Sequence, residues 1–160
     1  MTLFKTLPVV EAVCDRAALP PGSEGYARDT ITLAWEERLR ARGRRRSDGG
    51  FDFGTALPRG TVLRAGDCFV ITDARLTIEV VEQLEAVFII EPASSREWGL
   101  FAYHIGNGHQ PLMIVERGLV CPDAPGVEML LQYHRIPHTR AEMGFTPTTA
   151  FGHASLGSGA

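Results

Sequence analysis

The chain has 160 residues, 44 % of them hydrophobic, and a chain of this length buries enough surface to fold without disulfides or structural metals. Its three cysteines are odd in number and form no C-x-x-C pair, and neither a signal peptide nor a run of about 18 apolar residues is visible, so we predict a cytoplasmic protein without a membrane anchor. A formal net charge of −3 excludes the global positive field of a general nucleic-acid binder.

Residues 1–82 are punctuated by turn residues and show no amphipathic helix. Residues 30–39 begin with an alternation of apolar and polar positions that reaches Trp35, which is typical of a strand. Residues 47–50, Ser-Asp-Gly-Gly, predict a hairpin turn, because Asp-Gly pairs accept positive φ values. In residues 76–81, apolar residues again occupy every second position, which is typical of a strand. We therefore predict an all-β domain over residues 1–82.

The pattern changes from residue 83 onward. Residues 86–91 form a continuous apolar run, which is typical of a buried strand. Ser94 and Glu97 have the spacing of a capping box. The apolar stripe behind them predicts a helix that ends at Asn107 and Gly108, since both residues tolerate the left-handed conformation of a helix end.

Four further elements are predicted beyond that helix. Residues 111–115 and 118–121 favour two strands joined by a tight turn, and a last strand lies within residues 136–143. Between them, Asp123 is predicted to cap a second helix whose apolar stripe ends at His134. The order β-α-β-β-α-β predicts an α+β ferredoxin-like domain over residues 83–147. The Gly-, Ser- and Ala-rich residues 148–160 are predicted to form a flexible tail.

Motifs of the common enzyme classes are absent from the sequence. It contains no G-x-S-x-G elbow, no G-x-x-x-x-G-K-[ST] loop and no H-E-x-x-H, and no nucleophile has an evident base. We therefore predict that the chain is not an enzyme.

His109 is the candidate metal ligand. It follows directly on the predicted helix end, where a side chain can project outward, and neutral imidazole is a common metal ligand. A single histidine is in most proteins merely an exposed or hydrogen-bonded side chain, so its position alone does not make it a ligand.

Residues 102–112, AYHIGNGHQPL, closely resemble the signature A-x-x-L-G-N-R-H-x-P-L of the urease accessory protein UreE family. The resemblance covers most of residues 44–147. It includes Arg-Arg-Arg at 44–46, Asp-Gly at 48–49, LPRGTVLRAGD at 57–67, residues 118–131, and Phe-Thr-Pro at 145–147.

The resemblance implies a cytoplasmic nickel metallochaperone. Its β-rich amino-terminal domain would be of a partner- or peptide-binding type, and its ferredoxin-like domain would bind metal. It further implies a homodimer that holds Ni²⁺ between its carboxy-terminal domains and delivers it to the urease apoprotein, together with accessory proteins that include the GTPase UreG. Neither nucleic acid nor membrane is an implied partner.

Carried over residue by residue, His109 matches the interfacial ligand histidine of that family. His153 is similar in position to tail histidines that add ligands in some members, whereas the signature does not make His104 a ligand. Imidazole also suits Zn²⁺ and Cu²⁺, so both are expected to substitute for nickel. One imidazole cannot hold such an ion, but two copies of His109 across a two-fold axis double the protein ligands.

The sequence departs from the family pattern at three places. Gly108 stands where the family usually has Arg, which removes a charge beside the site. Cys-Pro-Asp at 121–123 occupies a position where some members carry extra histidines. The tail holds a single histidine instead of many, which argues against large-scale nickel storage.

The basic residues 40–46, RARGRRR, favour an alternative function, a module without a metal that docks RNA or a protein. Arg44, Arg45 and Arg46 are its candidate partner-binding residues. The aromatic-rich strands of RNA-binding ferredoxin-like domains are missing. A solvated hairpin end is the competing interpretation of this run.

Overall fold

The computed structural model describes residues 6–148. It divides into two compact units, Met1–Gln83 and Leu84–Ala160, each built around a hydrophobic core of its own. Within the described residues, no helix is long and apolar enough to cross a membrane.

The amino-terminal unit consists mainly of short strands, as its turn-rich sequence predicts. Its described elements, in chain order, are β1 (Val9–Val10), β2 (Cys14–Asp15), a 3-10 turn (Arg16–Ala18), β3 (Ala27–Leu33), α1 (Trp35–Arg38), β4 (Arg42–Arg46), β5 (Asp52–Ala56), β6 (Asp67–Ile71), a second 3-10 turn (Thr72–Ala74) and β7 (Leu76–Glu82).

These strands form two sheets with the orders β1-β5-β4 and β2-β6-β7-β3. The β1–β5 and β3–β7 pairs are parallel and the other pairs are antiparallel. Alternate residues of these strands share the core of the unit. Its fully buried members include Phe53, Leu57, Leu63, Phe69 and Ile78.

The hairpin predicted at residues 47–50 is confirmed. Strands β4 and β5 pair in antiparallel register from Arg46 and Asp52 onward. Gly50 takes a positive φ of 92° in the turn between them, a value that glycine adopts without steric cost.

The prediction that a strand reaches Trp35 is wrong. Strand β3 stops at Leu33, and Trp35 begins the one-turn helix α1. The Glu37 carboxylate accepts a hydrogen bond of 3.2 Å from the Ala34 amide, which satisfies a donor that a continued strand would have used. The unit is therefore mainly, but not purely, β.

The carboxy-terminal unit has the element order β-α-β-β-α-β. Its elements are β8 (Glu85–Ile90), α2 (Ser95–Asn107), β9 (Met113–Val115), β10 (Gly118–Pro122), α3 (Pro125–Tyr133) and β11 (Thr139–Met143). The strands form one antiparallel sheet in the order β11-β8-β10-β9. One core joins the sheet to both helices, and it includes Phe88, Ile90, Phe101, Ile105, Val127 and Leu131.

The predicted cap of α2 is confirmed. The Glu97 amide donates to Ser94 Oγ at 3.2 Å, and the Glu97 carboxylate accepts from the Ala93 amide at 2.7 Å. The helix start therefore has both halves of a reciprocal capping arrangement, although the returning bond goes to the residue before the cap.

The predicted cap of α3 is wrong. Ala124, not Asp123, is the N-cap residue, and Pro125 occupies the first turn, where its fixed φ suits a helix start. The Asp123 carboxylate instead accepts a hydrogen bond of 3.0 Å from Arg140 Nε of β11. His134 likewise lies one residue beyond the helix that was predicted to contain it.

Candidate metal centre

The carboxyl end of α2 closes in a Schellman motif. The Gln110 amide donates to the Ile105 carbonyl at 3.2 Å, and the His109 amide donates to the Gly106 carbonyl at 2.9 Å. These two bonds satisfy carbonyls that a helix end otherwise leaves without partners. The segment that carries the family signature is therefore an ordered helix end.

His109 adopts the left-handed conformation of this motif, with a φ of 55°. The expectation that Asn107 or Gly108 supplies it is wrong, since Asn107 is helical and Gly108 has a φ of −79°. Histidine tolerates this region better than most residues with a side chain. The consequence is that hydrogen bonds hold the backbone of His109, while its side chain stays exposed.

Gly108 brings the end of α2 against α3. A Cβ atom at this position would overlap Cδ1 of Leu130 and would lie 3.3 Å from the carbonyl oxygen of His104. A side chain at position 108 would therefore displace the end of the Leu130 side chain, whereas the backbone angle of Gly108 is an ordinary one.

Of the four histidines in residues 6–148, only His109 is exposed. The His104 and His134 rings stack across the two helices with centroids 3.8 Å apart and an interplanar angle of 17°. The His138 ring lies edge-on to Phe88, and its Nδ1 is 2.8 Å from the Ile136 carbonyl oxygen. His153 lies outside the described residues.

No group of three or more histidine, cysteine, aspartate or glutamate side chains is placed to hold a metal ion within residues 6–148 of one chain. Residues 6–148 of a single copy therefore offer one exposed imidazole, at the end of α2. A divalent transition metal requires more ligands than that, and the rest must come from another copy, the tail or water.

Cys121 is not available as a further ligand. It is fully buried in the core, as its strand position predicts, and burial raises the pKa of its thiol to about 12. Metal ligation requires the thiolate, which such a pKa disfavours at neutral pH. Asp123 beside it is an ion-pair partner of Arg140.

Large apolar side chains lie exposed on both helices of this unit. The row Tyr103, His104, His134 and Tyr133 is continuous across α2 and α3, with the two tyrosine rings edge-on to the histidines at 5.5 and 4.9 Å. Leu100 and Met129 extend this surface, and these two residues and the tyrosines are between 43 % and 81 % exposed. The sequence analysis above assigned no role to these four residues. They could have been recognised as large apolar residues that lie just outside the buried stripe of each helix.

The three consecutive arginines of β4, Arg44 to Arg46, have different environments because a strand alternates its side chains. Arg45 is buried, and its guanidinium donates to Thr55 Oγ1 at 3.1 Å and to the backbone carbonyls of Glu37 and Arg40. Burial lowers its pKa from the usual value for arginine. Arg44 and Arg46 are exposed and share the Asp52 carboxylate at 3.6 and 3.2 Å.

Comparison with known proteins shows what the amino-terminal unit is similar to. Residues 10–82 match the sequence model described as the UreE urease accessory protein, N-terminal domain. Proteins named urease accessory protein UreE are also similar to this chain. The relative from Burkholderia orbicola is 39 % identical over 85 residues, which is 53 % of this chain and 41 % of the relative.

Two further relatives carry the same name. The protein from Burkholderia thailandensis is 39 % identical over 92 residues, covering 58 % of this chain and 41 % of the relative. The protein from Paraburkholderia xenovorans is 38 % identical over 85 residues, covering 53 % and 37 %. The match thus spans about two fifths of the length of these relatives.

The family description and the relatives' names are both those of an accessory protein, which supports the prediction that the chain is not an enzyme. The matched residues 10–82 make up most of the unit Met1–Gln83. Over residues 10–82, the amino-terminal unit is therefore similar to the N-terminal domain of the urease accessory protein UreE.

Proposed function

We propose that the chain is a metallochaperone that binds Ni²⁺ at a homodimer interface through His109 and delivers it to the urease apoprotein during assembly of the active site. The observation that carries this proposal is the combination of an exposed imidazole with a fixed backbone. His109 alone among the described histidines is exposed, and two hydrogen bonds of the Schellman motif hold its position.

The number of ligands that Ni²⁺ requires supports a site shared between two chains. One imidazole leaves most coordination positions of Ni²⁺ to water, whereas two copies of His109 facing each other across a two-fold axis supply two protein ligands. His153 of each tail would raise the number to four. A site with few protein ligands at an interface between two copies can both bind its ion and release it, which a carrier requires and a structural metal site does not. Zn²⁺ and Cu²⁺ would occupy the same imidazoles.

The exposed apolar surface on α2 and α3 supports self-association. Tyr103 and Tyr133 are 63 % and 81 % exposed, and Leu100 and Met129 enlarge the patch around them. Large exposed apolar patches commonly mark interaction sites, and an interface between two copies would bury them. Tyr103 lies on α2, whose end carries His109.

The proposal also assigns a role to each unit. The β-α-β-β-α-β order and the sheet order β11-β8-β10-β9 support a ferredoxin-like, metal-binding carboxy-terminal domain. The amino-terminal unit would dock the urease apoprotein or its accessory proteins, among them the GTPase UreG. The match of that unit to the N-terminal domain of the urease accessory protein UreE supports this part of the proposal.

An activation assay tests the proposed function. Urease apoprotein and its accessory GTPase complex are incubated with the nickel-loaded chain and a chelator that captures free Ni²⁺. We expect activation by the wild-type chain and little activation by His109→Ala. The matched control is His104→Phe, which keeps a ring stacked on His134 but removes the imidazole nitrogens, and it should activate like the wild type because His104 is not a ligand of the proposed site. Equal activation by His109→Ala would contradict the proposal.

The alternative function, RNA or protein docking by residues 40–46, has less support. Arg45 is committed to the interior of the unit, and Arg44 and Arg46 already share one carboxylate. This alternative predicts RNA binding that weakens steeply with salt and on neutralisation of Arg44 and Arg46. A gel-shift titration at low salt tests it, and the absence of any shift would remove it.

A further inference from the structure

We propose that Cys14 and Cys68 are a redox-active pair that forms a reversible disulfide by exchange with a low-molecular-weight disulfide such as oxidised glutathione. The pair lies in the amino-terminal unit, and the inference does not depend on nickel binding. The two cysteines are 54 residues apart in sequence, so no C-x-x-C spacing indicated them.

The strand register places the two cysteines directly opposite each other. Strands β2 and β6 are antiparallel, with Cys14 paired to Cys68. The Arg16 amide donates to the Gly66 carbonyl at 3.0 Å, which continues the same register. Side chains of directly opposed residues lie on the same face of a sheet, with Cα atoms about 4.5–5.5 Å apart. Disulfides span Cα separations of about 4.4–6.8 Å, so the separation expected for this pairing lies within the range that a disulfide can bridge.

The thiols also have the local placement that exchange requires. Cys14 Sγ lies 3.7 Å from the Cys68 carbonyl oxygen, and Cys68 Sγ lies 3.6 Å from the Gly66 carbonyl oxygen. Cys14 is half-buried, whereas Cys68 is fully buried. Both line an open cavity of about 500 Å³ together with Val10, Val13 and Tyr26. A small disulfide can therefore approach Cys14 first.

The order of the reaction follows from exposure. Cys14 is half-buried and Cys68 is fully buried, so Cys14 is the first nucleophile. Burial raises the pKa of both thiols, that of Cys68 to about 11, which makes the exchange slow at neutral pH. Its thiolate attacks one glutathione sulfur, which forms a mixed disulfide and releases one glutathione thiolate. The Cys68 thiolate then attacks the Cys14 sulfur and releases the second glutathione. The cysteine pair loses two electrons and two protons, and glutathione disulfide is reduced to two glutathione molecules.

The disulfide would close a weakly held part of the unit. Strand β1 pairs with β5 in one sheet and β2 pairs with β6 in the other, and each of these amino-terminal strands has only two residues. Residues 9–14 also line the cavity. A bond between Cys14 and Cys68 would tie this wall to the core strand β6, in addition to the two short strand pairings and the packing of Val10 and Val13 that hold it in the reduced state.

The experiment is a glutathione redox titration of the intact folded chain, followed by acid quenching, alkylation and tryptic digestion without reduction. Trypsin releases Cys14 in residues 6–16 and Cys68 in residues 65–75. We expect these two peptides to be linked in the wild type and in Cys121→Ala, and not in Cys14→Ser. Cys121 lies buried in the other unit and should remain alkylatable after denaturation. The oxidised wild type should unfold roughly 5 °C or more above the reduced form.

Three results would overturn the proposal. The first is the absence of a linked peptide at every glutathione ratio. The second is accumulation of a stable mixed disulfide on Cys14 that Cys68 does not resolve. The third is a linked peptide that joins two chains, which a non-reducing gel detects. Cys14→Ser is a small change at a half-buried position, so circular dichroism should show it to be folded.

Discussion

Gly108 and Leu130 lie so close together that a methyl group at position 108 would overlap the end of the leucine side chain. Gly108→Ala should therefore destabilise the carboxy-terminal unit by about 1 kcal/mol, the order of the cost of displacing a side chain from its preferred rotamer. Urea unfolding measures it. Combination with Leu130→Ala should recover part of the loss, because the smaller side chain vacates the space. Additive effects of the two substitutions would contradict this steric account.

Glu82 is predicted to stabilise the amino-terminal unit more than Glu79, although both lie on β7 and their side chains are equally exposed. Glu82 pairs at 3.3 Å with Arg38, whose side chain is fully buried, whereas Glu79 pairs with an Arg16 side chain that is 70 % exposed. Glu82→Ala removes an anionic partner of a buried cation and should cost about 2 kcal/mol. Glu79→Ala should cost less than about 1 kcal/mol. Equal losses in urea unfolding would show that burial of the arginine does not decide the difference.

Asp48 should make the amino-terminal unit sensitive to acid. The hydrogen bond from the Thr30 hydroxyl, at 2.7 Å, lowers the pKa of this carboxyl, and the amide and hydroxyl of Thr32 add to the effect while desolvation opposes it. A lowered pKa in the folded state stabilises the protein above the unfolded pKa, and this contribution is lost as the pH falls through the folded value.

The variant Asp48→Asn tests this dependence. At pH 6 it should be less stable than the wild type by at most about 1 kcal/mol, because solvent screens this exposed side chain. The difference should shrink as the pH falls below about 4, where the wild-type carboxyl also becomes neutral. Asp73→Asn, at an exposed aspartate of the same unit, is the control. A difference that is constant from pH 6 to pH 3 would exclude the charge as the cause.

Local sequence signals predicted the elements whose determinants are neighbours in the chain. The Asp-Gly turn at 48–49 and the cap at Ser94 are short-range patterns, and both are present in the structure. The predicted end of β3 is wrong because the apolar and polar residues continue to alternate beyond the last residue of the strand. The helix that begins at Trp35 depends on the Glu37 carboxylate, which accepts from the Ala34 amide. Asp123 was misassigned because its partner, Arg140, comes from another strand.

For the candidate site, the sequence locates His109 at a helix end. It does not assign the left-handed backbone conformation to His109, because glycine adopts that conformation more readily and Gly108 is the preceding residue. The close packing of Gly108 on Leu130 and the stacking of His104 on His134 are contacts between two helices, so no short-range pattern encodes them. The pairing of Cys14 with Cys68 depends on strand register in the same way. Burial of Arg45 could have been inferred from the period-2 alternation of a strand.

The ratio of metal to protein measures the central claim most directly. Native mass spectrometry and calorimetric titration with Ni²⁺ should give one tightly bound ion per two chains of the wild type and of His104→Phe, and no tight site in His109→Ala. One ion per single chain, or tight binding that survives His109→Ala, would contradict a site shared between two copies of His109.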